Sequence, residues 1–157
     1  MRRLLSVAVV AGVAFAAIPS HALAQGAPDD PYDPIVCESR TGGVEPSVAP
    51  KTRKVKPGKA AKFRVRVTNA RTWCPVGVTN PIKVCVKANK SARKALKLPK
   101  CVSLPGIAYQ GSRPARFRIK AKGSAAGKYK VTFIVKEKAF GGKAVVQGKA
   151  KATIRVS

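Results

Sequence analysis

The sequence contains few of the residues that most enzymes use for acid–base chemistry. Among its 157 residues there is one histidine, His21, and there are six acidic residues. Five of those six precede position 46, and Glu137 is the one that follows it. Because residues 46–157 hold a single carboxylate, hydrolysis by a pair of carboxylates is excluded there.

The N-terminal residues have the organisation of a secretory signal peptide. Met1-Arg2-Arg3 is a short positive start, Leu4–Ile18 is an apolar run of 15 residues, and Pro19 interrupts it. Ala22-Leu23-Ala24 supplies the small residues that signal peptidase accepts, so residues 1–24 are predicted to be removed. The run is shorter than the about 20 residues that a membrane-spanning helix needs, which disfavours a membrane anchor.

Export would leave residues 25–157, enough for one domain with a modest core. It would also remove His21, and with it the Ser–His and Cys–His nucleophile pairs and the commonest zinc ligand. Glycine-rich phosphate-binding motifs do not occur in the sequence. We therefore predict a secreted or cell-envelope protein that is not an enzyme. No cofactor, metal or membrane span after signal cleavage is predicted.

Four cysteines remain after signal cleavage: Cys37, Cys74, Cys85 and Cys101. An even number in an oxidising compartment predicts two disulfides, for which three connectivities are possible. A four-cysteine zinc site is the alternative, and it is disfavoured because no C-x-x-C pair occurs. Cys85 lies on the lysine face of the alternating stretch PIKVCVKANK, where a free cysteine is not expected.

Residues 25–50 and 51–157 differ in composition. The first range is rich in Pro, Gly and Asp and predicts an irregular N-terminal segment, whereas the second alternates between apolar and basic residues. Alternation with a period of two predicts strands that have one buried face. About seven short strands predict an all-β, Ig-like antiparallel sandwich. These strands are residues 51–56, 62–69, 82–87, 115–122, 128–138 and 148–157, with 143–147 a seventh strand or the start of the last.

The helix candidate is SARKALKL, residues 91–98, with Ser91 as the N-cap and Pro99 as the stop. Ser91-Ala92-Arg93-Lys94 also matches the S-x-x-K motif of penicillin-recognising enzymes, whose other motifs are S-D-N and K-T-G. Neither of those occurs here. The sequence therefore favours a capped turn between strands over a nucleophilic serine.

A family resemblance covers residues 51–157. The runs VKPGKAAKFRVRVTN, IKVCVKANK, KCVSLPGIA, RPARFRIKAK and AAGKYKVTFIV resemble the cell-adhesion-related domain found in bacteria and its relatives among conserved surface repeats. The resemblance implies an Ig-like module with a structural, adhesive or protein-binding role. The loop NARTWCPVGVTN and the segment around Cys37 depart from that pattern. Pairing the two departures gives Cys37–Cys74 and leaves Cys85–Cys101.

Positive charge dominates the predicted domain. Residues 46–157 contain 29 Lys and Arg, which predicts attraction to polyanions. The stretch KANKSARKALKLPK is the candidate contact, because clustered cations displace the counterions of phosphates or sulfates. The alternative is that these cations only keep the protein soluble and prevent exposed strand edges from pairing with other chains. The candidate polyanion-binding residues are Lys87, Lys90, Arg93, Lys94, Lys97 and Lys100.

The predicted strands place Phe63, Phe117, Tyr129 and Phe133 opposite the Lys and Arg residues, in the core. Binding of single-stranded nucleic acid usually needs aromatic side chains among the cations. We therefore predict no specific nucleic-acid partner. The predicted partners are an unknown protein or, in the alternative function, an anionic polymer: an envelope polymer or extracellular nucleic acid that is bound without sequence specificity.

Overall fold

The computed structural model describes residues 43–72, 77–138 and 142–157. The predicted signal peptide, most of the predicted N-terminal segment, Cys37 and Cys74 lie outside these ranges. Removal of residues 1–24 and the Cys37–Cys74 disulfide therefore stay predictions. No helix within the described ranges is long and apolar enough to cross a membrane.

The described residues form nine strands and one short helix, where about seven strands were predicted. The strands β1, β5 and β6 were not predicted, and residues 143–147 are largely the first part of β9. The elements are β1 Val44–Ala49, β2 Thr52–Val55, β3 Ala60–Asn69, β4 Ile82–Ala88, α1 Lys90–Ala95, β5 Leu96–Lys97, β6 Val102–Leu104, β7 Ser112–Ala121, β8 Gly127–Lys138 and β9 Ala144–Val156.

Two sheets form the sandwich, which confirms the predicted all-β, Ig-like class. Sheet I has the order β1-β3-β7-β5 and sheet II has the order β2-β9-β8-β4-β6. Neighbouring strands are antiparallel, except that β2 runs parallel to β9. The chain therefore moves from sheet I to sheet II between β1 and β2.

The core lies between the sheets, as the alternation predicted. Phe63, Val65 and Val67 of β3 are buried, while the basic residues between them are exposed. The ring of Phe133 from sheet II lies 5.1 Å from that of Phe117 and 5.7 Å from that of Phe63, centroid to centroid. Contacts of this geometry stabilise the core beyond the apolar area that they bury.

Strand β1 lies inside the range that was predicted as an irregular N-terminal segment. It pairs with β3 from Val44 opposite Asn69 to Ala49 opposite Arg64, so the sandwich begins before Lys51. Pro46 made this strand hard to predict from the sequence. Proline argues against a strand because it is tolerated only at the edges and bulges of a sheet. β1 is an edge strand of sheet I.

Helix α1 is capped by Asn89, so the prediction of Ser91 as the N-cap was wrong. The Asn89 side chain accepts a hydrogen bond from the Ala92 N–H, at 2.8 Å. Asparagine is as strong a cap as serine, and its position before the first helical residue decides which of them is used. The chain then pairs with β7 as β5 and returns to β4 as β6.

A bulge separates two halves of the β8–β9 pair. Val135 is opposite Gly148, but Lys136 is opposite Val146, so Gln147 is the extra residue. A bulge changes the phase of side-chain alternation along its strand. Gln147 consequently points into the sandwich, where it is buried.

Candidate anion-binding surfaces

The six candidate polyanion-binding residues are all exposed, but they belong to three different parts of the fold. Lys87 lies on β4 and Lys100 lies directly before Cys101. Lys90, Arg93 and Lys94 lie on α1, and Lys97 lies on β5. A stretch that is continuous in sequence is therefore divided between sheet II, the helix and the edge of sheet I.

The helix residues line a surface groove of about 540 Å³ together with Lys122. Arg93 is partly engaged there, because its Nε–H donates a hydrogen bond to the Ala88 carbonyl, at 2.8 Å. The structure thus brings Lys90, Arg93 and Lys94 together and adds a cation from the end of β7.

Cys85 and Cys101 form a disulfide, as predicted. Their Cα atoms are 4.3 Å apart, and they continue the β4–β6 ladder, in which Val84 is opposite Val102. The bridge closes a loop with a sequence separation of 16, which stabilises the fold by about 3 kcal/mol in the chain-entropy model. It therefore fixes both ends of the segment that carries α1 and β5.

A denser group of cations lies on the outer face of sheet I. Lys62 of β3 is directly opposite Arg118 of β7, and Arg64 is directly opposite Arg116. We call these four residues the cationic ladder. Directly opposed residues on antiparallel strands have Cβ atoms about 5 Å apart. The ladder thus consists of two consecutive rungs of like charge.

Two grooves meet at the ladder. The first, of about 340 Å³, contains the four ladder residues and Arg53, with Ala49 and Pro50 in its lining. The second, of about 490 Å³, contains Lys59, Lys97, Arg118 and Lys120. Lys97 is directly opposite Lys120. Because Arg118 lines both grooves, positive charge is continuous along this face.

Sequence reasoning missed the ladder although it predicted that these side chains are exposed. The strand pattern shows which face each residue occupies, whereas the residue opposite it depends on the register between β3 and β7. These strands are more than 40 residues apart in sequence. The search for basic residues that cluster along the sequence could not find the ladder, because its residues come together only when β3 pairs with β7.

Glu137 is a structural residue rather than a candidate catalytic acid. It is fully buried and forms an ion pair with Arg71. Its carboxylate also accepts hydrogen bonds from the Asn80 N–H and from Gln147 Nε2, each at 2.8 Å. A buried charge requires such partners. In the alternation of β8, Glu137 falls on the face that points into the core. This feature of the sequence could have predicted that Glu137 is buried and needs partners.

The rest of this cluster closes one end of the sandwich. Asn69 Nδ2 donates to the Ile107 carbonyl at 2.9 Å, and the Ile107 N–H donates to Thr79 Oγ1 at 3.0 Å. In the ranges that the structure describes, no group of three or more His, Cys, Asp or Glu side chains could hold a metal ion. The polar residues at this end are engaged in holding loops together.

Comparison with known proteins concerns the fold. No protein-family model matches the sequence, and no curated protein matches it. Among solved structures, WR4, an MSP family member from C. elegans, is 12% identical, with 74% of this chain and 99% of that chain covered and a TM-score of 0.44. The resemblance to the cell-adhesion-related domain therefore stays a prediction.

Two bacterial structures are similar at the same level. Native alpha-2-macroglobulin from Escherichia coli is 18% identical, with 74% of this chain covered, a TM-score of 0.48, and 17% of that much longer chain covered. AggA, the major subunit of aggregative adherence fimbriae type I from E. coli, is 10% identical, with 77% of this chain and 100% of that chain covered and a TM-score of 0.41. Similarity at this level describes the β-sandwich alone.

Proposed function

We propose that the chain is a non-enzymatic Ig-like module with a structural or binding role outside the cell or at the cell envelope. The N-terminal sequence supports export, and the Cys85–Cys101 disulfide suits an oxidising compartment. The carboxylate of Glu137, the last acidic residue in the sequence, is occupied by Arg71, Asn80 and Gln147. It therefore supports the fold and not a reaction.

The proposed partner is an anionic polymer of the cell envelope. One observation carries this proposal: of the 29 Lys and Arg in the described residues, all but Arg71 and Lys136 are exposed. The described carboxylate side chains are Glu45 and Glu137, and Glu137 is buried against Arg71. The surface charge is therefore almost entirely uncompensated within the described part of the chain.

Such a surface binds polyanions by releasing the counterions that surround them. Association is then fast and strongly dependent on salt, and it needs no apolar contact patch. Val146 is the one large hydrophobic residue that is exposed among the described residues. The chemistry of the surface thus suits a charged polymer better than an apolar protein interface.

The test is retention of the exported protein on its own cell-envelope fraction at two salt concentrations. We expect strong retention at about 50 mM NaCl and at least tenfold weaker retention at about 200 mM. The matched control is the same protein with its lysines acetylated, which keeps the chain but removes charge. Retention that is equal at both salt concentrations, or unaffected by acetylation, would contradict an anionic partner.

A further inference from the structure

We propose that the cationic ladder of sheet I is a dedicated site for a linear polymer that carries phosphate groups. This inference rests on the proposed attachment to an anionic polymer, and it names the face and the chemistry of that attachment. The site consists of Lys62, Arg64, Arg116 and Arg118, with Arg53 at its border.

The register between β3 and β7 makes the ladder electrostatically unfavourable when no ligand is bound. Like charges directly opposite each other destabilise an antiparallel pair, and the ladder places two such pairs side by side. Neither described carboxylate side chain offsets them, because Glu137 is buried and Glu45 is opposite Thr68, at the other end of β1 from Ala49. An oxyanion between the strands would convert each repulsive rung into two attractive contacts.

The outer face of sheet II has a different arrangement. Lys130 is opposite Thr153, Lys151 is opposite Thr132, and Lys149 is opposite Ile134. Cationic rungs do occur on sheet II. Arg155 is opposite both Lys128 and Lys54 of β2, and Lys83 is opposite Lys136, but neutral partners separate these two rungs along β8. The pattern of sheet II is sufficient to keep a protein soluble. The consecutive rungs of sheet I therefore need another explanation.

The side chains of the ladder indicate the ligand chemistry. Three of the four are arginines, whose planar guanidinium groups bind phosphate through two parallel hydrogen bonds. Successive rungs are about 7 Å apart along the strands, which is two residues of an extended chain. A single anion cannot occupy both rungs and the second groove. A polymer with repeated oxyanions can follow the face from Arg64 past Arg118 to Lys120.

The same face lacks the features that single-stranded nucleic acid uses. Phe63 and Phe117 alternate with the ladder residues, but each is only 3% exposed because it faces the core. Base stacking on exposed aromatic side chains supplies much of the affinity in single-strand binding. The ligand is therefore expected to bind through its phosphates, with no contribution from bases.

The experiment compares two variants that lose the same charge. In the ladder variant, Lys62, Arg64, Arg116 and Arg118 are all changed to Gln; in the matched control, Lys87, Lys130, Lys149 and Lys151 of sheet II are changed to Gln. The probe is inorganic polyphosphate, and the measurement is its Kd as a function of salt. We expect the ladder variant to lose at least about 30-fold in affinity and the control less than about threefold. The slope of log K against log salt should fall by about 3 in the ladder variant.

A charge-conserving variant tests the arginine chemistry. Changing Arg64, Arg116 and Arg118 to Lys keeps the charge but removes the guanidinium groups, and we expect about a fivefold loss in affinity. Unchanged affinity would overturn recognition by arginine. Poly-glutamate of equal charge that binds more tightly than polyphosphate would overturn the assignment of a phosphate polymer. Single-stranded DNA of equal charge that binds more tightly than polyphosphate would overturn binding through phosphates without a contribution from bases.

The outcomes separate this inference from the proposed function. Equal losses in the ladder and control variants would overturn a dedicated site and leave attachment through overall charge. Absence of polyphosphate binding by the unmodified protein, together with salt-independent retention on the envelope fraction, would overturn both.

Because removal of like charges relieves repulsion, the ladder variant should unfold at or above the unfolding temperature of the unmodified protein. A lower unfolding temperature would contradict the repulsion on which the argument depends.

Discussion

The outer faces of sheets I and II are both covered with cations, but their cross-strand neighbours differ. On sheet I the ladder places cation opposite cation in two consecutive rungs, whereas on the β8–β9 pair of sheet II five of the seven cations are opposite a neutral residue. Both faces are thus rich in Lys and Arg, but like charges are opposed in consecutive rungs only on the face of sheet I. Overall charge does not distinguish them; register does.

The largest expected effect comes from the buried cluster around Glu137, which joins β8 and β9 to the loop residues Arg71 and Asn80. Changing Glu137 to Gln removes the negative charge from the buried ion pair with Arg71, and we expect a loss of about 3–5 kcal/mol in the free energy of unfolding. Denaturant unfolding measures it. The control is Glu45→Gln on the exposed face of β1, for which a change within about 0.5 kcal/mol is expected. A Glu137→Gln protein as stable as the control would contradict the structural role of the ion pair.

The second prediction separates the segment of α1 from the ladder. Replacing both Cys85 and Cys101 by Ala should lower the free energy of unfolding by about 3 kcal/mol, because the unfolded chain regains the freedom of the closed loop. Polyphosphate affinity should change by less than about twofold, since the ladder lies on β3 and β7. A large loss of affinity in this variant, measured under conditions where it stays folded, would place the site in the disulfide-bound segment instead.

The third prediction concerns the helix that connects β4 of sheet II to β5 of sheet I. Asn89→Ala removes the side chain that accepts the Ala92 N–H and should cost about 1 kcal/mol. Ser91→Ala, the matched control, should change the stability by less than about 0.5 kcal/mol, because Ser91 is an exposed residue inside the helix. Equal costs in thermal unfolding would restore Ser91 as the cap.

The smallest expected effect on stability comes from giving sheet II the pattern of sheet I. Thr132→Arg together with Thr153→Arg would place cations opposite Lys151 and Lys130, and we expect a loss of about 0.2–0.4 kcal/mol per pair. Polyphosphate affinity should rise about fivefold or more. Thr132→Gln with Thr153→Gln controls for side-chain length. If stability falls but affinity does not rise, consecutive rungs are not sufficient for binding.

The sequence predicted the parts of the fold that alternation encodes. Strands β3, β4, β7 and β8 and the second half of β9 follow from apolar residues at every second position, and the phenylalanines were placed correctly in the core. β1 was missed because of Pro46, and β5 and β6 because two or three residues carry no periodicity. The bulge at Gln147 and the register of β3 against β7 depend on contacts between distant segments, which a single sequence does not display. The Cys85–Cys101 pairing was predicted from the family resemblance, because Cys37 and Cys74 lie in the two segments that depart from its pattern, and the structure confirms it.

Location of bound polyphosphate on the unmodified protein tests the central claim most directly. Acetylation of each lysine, followed by mass spectrometry, measures how far a bound polymer protects it. At saturating polyphosphate we expect the rate at Lys62 to fall at least about fivefold, while Lys149 and Lys151 of sheet II change less than about twofold. Equal protection of the two faces would contradict a site on sheet I, and a fall confined to Lys90 and Lys94 would place the site on α1.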